Sequence, residues 1–435
     1  MNSQALQSIE LLQHQAASLL LYQSVLQGEV GQAFLNVLQS LRQQERLGCL
    51  SAYGDWFTAL AGQHHSWQTY LLQQILQAEN PFSQQAQTME LADLPKALVL
   101  AARHDLRVLQ SLSTCDGRVL GEWVQTVAQL PNPLPVWQLD DAETGPIAPA
   151  TPTLPLPFQQ ESDWSNALTA ITDYYRQFGV GLFGKYRALR WQAGSLVGIA
   201  HPDRLHLDEL VGYDWQKAAL TKNTEALLSG YRALHVLLYG SRGSGKSSLV
   251  KALLQTYGDR GLRLIEVAKA ELQHLPVIVE HLRSTPQKFI IFVDDLSFEE
   301  DDDAYKALKV VLEGNATARP PNVVVYATSN RRHLIREFFG DRPRPSDADE
   351  VNAWDTVQEK LSFSDRFGLT LTFEPADQES YLAIVRHLAA QAAIALPVTE
   401  LDHQALQWAT RHNGRSGRTA RQFVDFLQAE LGNRA

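Results

Sequence analysis

The stretch LLYGSRGSGKSSLVKALL, residues 237–254, combines a short apolar run, a glycine-rich loop and a segment with helical periodicity. The loop fits the pattern G-x-x-x-x-G-K-[ST], which predicts a phosphate-binding loop between a strand and a helix. Glycines permit backbone angles closed to other residues, so the loop N–H groups can surround phosphate oxygens at the positive end of the following helix. The predicted phosphate-binding residues are Gly240, Ser241, Arg242, Gly243, Ser244, Gly245, Lys246, Ser247 and Ser248.

Lys246 and Ser247 have specific predicted roles in this loop. The pattern predicts that Lys246 reaches the β- and γ-phosphates and that the Ser247 hydroxyl ligates Mg²⁺. We therefore expect ATP and Mg²⁺ as cofactors. A guanine nucleotide is disfavoured, because no N-K-x-D element that would recognise guanine follows the apolar run at 323–326.

A second apolar run, FIIFVDDLSFEE at residues 289–300, ends in carboxylates. We predict that Asp294 holds Mg²⁺ through water, on a strand beside the phosphate-loop strand. Asp295 is then the candidate that orients or deprotonates the attacking water. Since aspartate is one methylene shorter than glutamate, we expect slow turnover, and Glu299 and Glu300 lie close enough in sequence to substitute for Asp295.

The second half of the chain alternates short Val/Leu/Ile runs with amphipathic helical segments. The pattern predicts strands at 235–239, 262–267, 289–293, 323–326 and 369–373. Continuous apolar strands alternating with helices are typical of a parallel sheet buried on both faces. We predict an α/β three-layer core with a parallel five-stranded sheet over residues 205–375. Three amphipathic helices then form a small C-terminal helical lid over residues 376–435.

The first half has a different texture. Residues 1–130 show helical spacing of apolar residues and predict an all-α N-terminal domain, in which no chemical motif is found. Residues 131–160 are rich in proline and predict a linker. We predict that residues 161–204 form a helical connector to the α/β core.

Composition limits the class of protein. The chain has 435 residues, two cysteines and a formal net charge of −10, and 45% of its residues are hydrophobic. Two or three domains are expected at this length. No apolar run approaches the ~20 residues that cross a bilayer, and the first residues lack the features of a signal peptide. We expect a cytoplasmic protein without a membrane partner, and the acidic balance disfavours nucleic acid.

Further motifs, in order along the chain, resemble those of the AAA+ ATPase superfamily. LDELVGYDWQKAAL resembles the stretch that wraps adenine, which implicates Val211 and Gly212. YATSN places Asn330 where that superfamily has its sensor-1 residue, which helps to position the water near the γ-phosphate. EKLSFSDRFGL resembles the arginine-finger segment, which implies that Arg366 reaches into a neighbouring subunit's site. GRSGRTARQF resembles the sensor-2 motif of the lid, which implies that Arg418 contacts the nucleotide. The resemblance implies a homo-oligomer with nucleotide at subunit interfaces.

More narrowly, five stretches within residues 165–432 resemble a bacterial family of predicted AAA+ ATPases classed as a domain of unknown function. That family carries Asp-Asp at the acid strand, so Asp295 resembles a family trait. Structural alternatives stay open. Arg366 could form an internal salt bridge. Arg415, Arg418 and Arg421 are spaced three apart and predict one helical face, with one arginine on the nucleotide and the others in ion pairs rather than a nucleic-acid patch. The charged segment 339–358 is a candidate partner-contacting loop.

The function expected from these residues is an ATP-driven switch or remodeller of an unknown protein client. A scaffold that binds nucleotide with little hydrolysis is the first alternative, and a nucleic-acid-associated loader is the second. A phosphotransferase lacks a visible acceptor site.

Overall fold

The computed structural model describes residues 1, 3–137, 158, 163–298, 303–313, 319–330, 363–412 and 414–432. The chain forms two compact units, Met1–Lys185 and Tyr186–Ala435. Each unit has its own hydrophobic core. None of the helices within the described residues combines the length and apolar character that a bilayer-crossing segment needs.

Within its described residues, the regular secondary structure of the first unit is helical. The helices are α1 (Ser3–Ala17), α2 (Glu29–Gln43), α3 (Arg46–Gln63), α4 (Trp67–Gln77), α5 (Pro81–Ala86), α6 (Lys96–Ser113), α7 (Gly117–Ala128), α8 (Leu168–Phe178) and α9 (Gly181–Lys185). Aromatic residues fill the core: the rings of Phe34 and Trp67 stack with centroids 4.4 Å apart, and Trp56 lies 6.0 Å from Trp67. Burial of such large side chains is a main source of stability for a helical unit.

A buried carboxylate fixes the chain after α1. Asp105 on α6 is fully buried and accepts backbone N–H bonds from Leu20, Leu21 and Tyr22 at 2.7–3.0 Å. The Tyr22 hydroxyl in turn lies 3.0 Å from that of Tyr175 on α8. These bonds join residues distant in sequence and satisfy polar groups that would otherwise be costly to bury.

The predicted helical connector at residues 161–204 is wrong. Residues 163–185 belong to the first unit, and α8 buries Tyr175 in its core. Two strands follow, β1 (Ala188–Gln192) and β2 (Ser195–Ile199), paired antiparallel across Ala193 and Gly194. Both turn residues have positive φ, of 50° and 80°, which is the geometry of a two-residue hairpin.

Of the predicted linker, only residues 131–137 and 158 are described, and they contain neither helix nor strand.

The second unit contains the predicted α/β core. The five predicted strands are β3 (Val236–Gly240), β4 (Leu262–Glu266), β5 (Lys288–Val293), β6 (Val323–Ser329) and β7 (Leu369–Phe373). They run parallel, and among the described residues the sheet has seven strands in the order β2-β1-β4-β5-β6-β3-β7. The five-stranded prediction is therefore extended by β1 and β2, because β1 pairs with the outer strand β4.

Helices connect the strands and cover the sheet. They are α10 (Asp214–Leu228), α11 (Lys246–Tyr257), α12 (Leu275–Leu282) and α13 (Asp303–Glu313). Apolar residues of α10 and α11 share a core with one face of the sheet. Leu237, Ile265 and Ile291, which alternate to the other face, are also fully buried. Burial of both faces explains why these strands are continuous apolar runs.

The sequence predicts that the strand ending in the two aspartates lies beside the phosphate-loop strand. This prediction is wrong. Strand β6 lies between β5 and β3 and pairs with both. Parallel strands are joined by crossover connections, such as α11 between β3 and β4 and α12 between β4 and β5, so chain order does not dictate strand order. Because all three strands are parallel, their carboxyl ends still meet at one edge.

The three predicted lid helices are present. They are α14 (Gln378–Gln391), α15 (Val398–Arg411) and α16 (Gly417–Gly432). Asp377 caps α14 by accepting the Ser380 N–H at 2.8 Å, which satisfies a free donor of the first turn. The helices enclose a small core that includes Tyr381, Ala405 and Phe423.

Candidate nucleotide-binding site

The P-loop, residues 240–248, connects the end of β3 to the start of α11. Gly240 has φ +144°, and a Cβ there would lie 1.9 Å from the carbonyl oxygen of Phe373 on the neighbouring strand β7. Only glycine fits at this position. The Ser241 N–H donates to the same carbonyl at 3.1 Å. The loop is therefore anchored to β7 before it turns into α11.

Lys246 lies at the base of the loop and is 7% exposed. Its Nζ donates to the carbonyl oxygens of Gly240 and Ser241 at 3.0 and 2.7 Å. Burial lowers the pKa of the Lys246 ammonium, while the nearby Asp294 and Asp295 carboxylates oppose this shift. A desolvated cation at the first residue of a helix is suited to bind a polyphosphate, which offers charged acceptors.

Asp294 and Ser247, the predicted metal-binding pair, lie together. The Ser247 hydroxyl donates to Asp294 Oδ1 at 2.6 Å. No cluster of three or more His, Cys, Asp or Glu side chains suited to a metal occurs in the described part of the chain. One carboxylate and one hydroxyl nevertheless fit Mg²⁺, which takes few protein ligands and completes its shell with water and phosphate oxygens.

Asp295 and Asn330, the predicted water-positioning pair, also lie together. Asn330 Nδ2 donates to Asp295 Oδ1 at 2.6 Å, and Asn330 Oδ1 lies 3.4 Å from Lys246 Nζ. Asp295 has φ +52°, in the left-handed region. Sequence reasoning missed Thr328, whose hydroxyl donates to Asp294 and accepts a hydrogen bond from the Asp295 N–H. The signal that could have identified it is a polar side chain at the end of an apolar strand.

These residues border a cleft of about 990 Å³. Val211 and Gly212, predicted to wrap the adenine, line it, as do all of the predicted loop residues from Arg242 to Ser248. Gly240 and Ser241 are not among the lining residues, and their carbonyls accept hydrogen bonds from Lys246. Apolar lining residues missed by sequence reasoning are Tyr213, Phe373, Ile384 and Leu388. Ile384 and Leu388 stand one turn apart on α14, so the lid supplies part of the apolar wall.

The lid helix α16 reaches the P-loop at its first turn. The Arg418 N–H donates to the Gly243 carbonyl at 3.3 Å, and the side chains of Arg418 and Arg421 line the cleft. The sequence predicts that Arg415 shares their helical face, and this prediction is wrong. It precedes α16 and donates to Gln378 at 3.1 Å, because the helix begins only at Gly417.

Arg366 lies in a 3₁₀ turn, Phe363–Arg366, outside the residues that line the cleft. Its guanidinium forms an ion pair with Glu313 at the end of α13. The internal salt bridge considered above is therefore present in the single chain. Glu299, Glu300 and the segment 339–358 lie outside the described residues.

Comparisons with known proteins agree with the predicted resemblance. A family profile described as "Protein of unknown function (DUF815)" matches residues 184–431. A Mycobacterium tuberculosis protein described as "Uncharacterized AAA domain-containing protein Rv2559c" is 28% identical over 209 residues, which cover 46% of this chain and 44% of that protein. The chain thus spans less than half the length of this relative.

Solved structures of Thermotoga maritima RuvB are also similar. The RuvB Holliday junction branch migration motor gives a TM-score of 0.35 at 15% identity, covering 51% of this chain and 63% of that one. A point mutant of the same RuvB gives 0.37 at 15% identity, covering 52% and 66%. The family profile covers more than half of this chain, from just before β1 to the end of α16. The chain therefore belongs to the family of proteins of unknown function DUF815, as the sequence motifs had predicted.

Proposed function

We propose that this protein is an AAA+ type ATPase that binds Mg·ATP in the cleft between the α/β core and the lid. One observation carries the proposal: a continuous polar network lines the cleft. It links Lys246, Ser247, Asp294, Asp295 and Asn330, and the Thr328 hydroxyl joins the two aspartates. The cleft lining also contains apolar residues suited to a base, such as Tyr213, Phe373, Ile384 and Leu388. Polar groups for phosphates and apolar surface for a base together match a nucleotide.

The phosphates would replace the bonds that the loop now makes with itself. Lys246 donates to two loop carbonyls, and a bound polyphosphate would offer stronger, charged acceptors at the same end of the cleft. Ser247 and Asp294 would hold Mg²⁺, which neutralises charge on the phosphate oxygens when bound. Arg418 and Arg421 would meet the nucleotide from the lid.

Hydrolysis would use the second aspartate. Water attacks the γ-phosphorus, the bond to the β-phosphate oxygen breaks, and ADP and inorganic phosphate leave. Asp295 would accept or orient the water proton, and Asn330 would hold the Asp295 carboxylate through its amide. Because aspartate is short, we expect slow turnover. Movement of the lid against the core would then change the state of a protein client.

A neighbouring subunit would supply Arg366 to the transition state. In the single chain Arg366 is paired with Glu313 away from the cleft, so we expect the isolated subunit to be a weak catalyst. The same ion pair favours the second candidate, a scaffold whose assembly responds to nucleotide with little hydrolysis. The net charge of −10 disfavours the nucleic-acid loader.

The test is phosphate release from Mg·ATP, measured across protein concentration for the wild type, Lys246→Ala, Asp295→Asn and Arg366→Ala. Lys251→Ala is the matched control, since Lys251 lies on the same helix but pairs with Glu266. We expect turnover per subunit to rise with concentration and to fall at least about tenfold in the three site variants. If the wild type binds ATP but releases no more phosphate than Lys246→Ala, the ATPase proposal fails and the scaffold replaces it.

A further inference from the structure

Thr328 occupies a central position that no motif indicated. It is the penultimate residue of β6, the strand between the phosphate-loop strand and the acid strand. Its side chain is 2% exposed and borders the cleft. A polar side chain buried at this place has defined hydrogen-bond partners, and both of them belong to the aspartate pair.

The two bonds of the Thr328 hydroxyl have a fixed polarity. The backbone N–H of Asp295 can only donate, so Oγ1 accepts from it at 2.9 Å. The single hydroxyl proton is therefore free for Asp294 Oδ1, which lies 2.5 Å away. One hydroxyl thus holds the carboxylate of the first aspartate and the backbone of the second.

This arrangement solves a geometric problem. Successive residues of an extended strand point to opposite faces, so Asp294 and Asp295 cannot both face the cleft from a straight strand. The left-handed turn at Asp295, with φ +52°, breaks the alternation, and both aspartates line the cleft. The turn is unfavourable for a residue with a Cβ, and it is retained by the bond to Oγ1 and by the Leu296 N–H to Thr328 O bond of 2.7 Å.

We propose that Thr328 is the positioning residue that gives the two aspartates separate roles. Its donated proton occupies Oδ1 of Asp294 and orients that carboxylate beside Ser247 for the metal. Its accepted bond turns Asp295 toward Asn330. This inference rests on the proposed function of the cleft and deepens it.

Ser329, the next residue, supplies a matched control. Its hydroxyl is buried and donates to the Leu296 carbonyl at 2.7 Å, and Ser329 does not line the cleft. Ser329→Ala thus removes one buried hydroxyl bond from the same strand end without touching either aspartate. Thr328→Val removes the hydroxyl while keeping the shape, and Thr328→Ser restores it.

The first readout needs no turnover. Hydrogen exchange of the Asp295 amide is expected to accelerate about tenfold or more in Thr328→Val, because its acceptor is gone, and to stay near the wild-type rate in Thr328→Ser and Ser329→Ala. Binding of a fluorescent ATP analogue is measured with and without Mg²⁺. We expect Thr328→Val to need about tenfold more Mg²⁺ for half of the metal-dependent binding, with metal-free binding unchanged.

Turnover supplies the second readout. Thr328→Val is expected to lower kcat about tenfold or more with KM for ATP nearly unchanged, and Thr328→Ser to restore most of it. If Thr328→Val does not fold, Thr328→Ala is used in its place. The inference is overturned if the variant keeps the wild-type Mg²⁺ requirement, or if Ser329→Ala produces the same losses. A wild type without turnover contradicts the proposed hydrolysis alone, because amide exchange and Mg²⁺ dependence still test Thr328.

Discussion

At the scale of single residues, the cleft depends on groups that are costly in the folded chain. Lys246 is a buried cation, and Asp295 has a left-handed backbone. Such features persist where the surrounding structure fixes them, and they concentrate at functional sites. The P-loop carbonyls satisfy Lys246, and Thr328 satisfies Asp295. The hydrogen bonds that stabilise these residues therefore also hold them in the positions that the proposed function needs.

The lowered pKa of Lys246 predicts the pH dependence of ATP binding. Burial disfavours the charged form, so the ammonium loses its proton at a lower pH than an exposed lysine does. Phosphate binding needs the charged form. ATP affinity should therefore stay constant below the pKa of the free protein and fall as pH rises through it. Fluorescent ATP titrations from neutral to alkaline pH measure this, and Lys246→Arg is expected to lack the fall. An affinity that rises with pH would contradict the assignment.

Gly240 provides a prediction about the backbone. A Cβ at this position would lie 1.9 Å from the Phe373 carbonyl oxygen, and φ is +144°. Gly240→Ala should lower the free energy of unfolding by about 3 kcal/mol or more and abolish ATP binding. Thermal unfolding and ATP titration measure the two effects. Gly62→Ala, where nothing lies within 4 Å of the added Cβ, is the control and should be neutral or slightly stabilising.

At the scale of elements, the sequence predicted the strands that continuous apolar runs define, and β7 was placed with the bounds that the structure gives. It did not predict β1 and β2, whose segments ALRWQ and SLVGI are short and joined by the turn Ala193–Gly194. It also misplaced β5 relative to β3, because strand order depends on how each crossover packs. Thr328 was missed for the same reason, since its role arises from β6 lying between them.

The start of α16 separates two arginines that the sequence had grouped. Arg418 lies in the first turn and lines the cleft, whereas Arg415 precedes the helix and bonds Gln378. Arg418→Ala should weaken ATP binding about tenfold or more, because it would remove a charged hydrogen bond to phosphate, whose free energy corresponds to a loss of that size. Arg415→Ala should leave affinity within about twofold. Titrations of both variants measure the difference, and equal losses would show that the pair acts through lid stability.

At the scale of the whole molecule, the two units differ in what they can contribute. The first has a core of buried aromatic and aliphatic side chains, and none of the predicted site residues belongs to it. The second contains the P-loop, the acid strand, the lid and the complete cleft. Because each unit has its own core, each has the means to unfold as a separate cooperative unit.

This separation predicts where nucleotide stabilises the chain. A ligand that binds only the folded state stabilises it by about 2.7 kcal/mol at roughly a hundredfold excess over Kd, and the gain belongs to the unit that binds. In hydrogen exchange on the full chain, saturating Mg·ATP should slow peptides from β3, α11 and the 294–298 turn. Peptides from the first-unit core around Phe34 and Trp56 should exchange as before. Lys246→Ala should lose the slowing. Equal protection of both units would contradict the prediction, because it would mean that the two cores unfold as one.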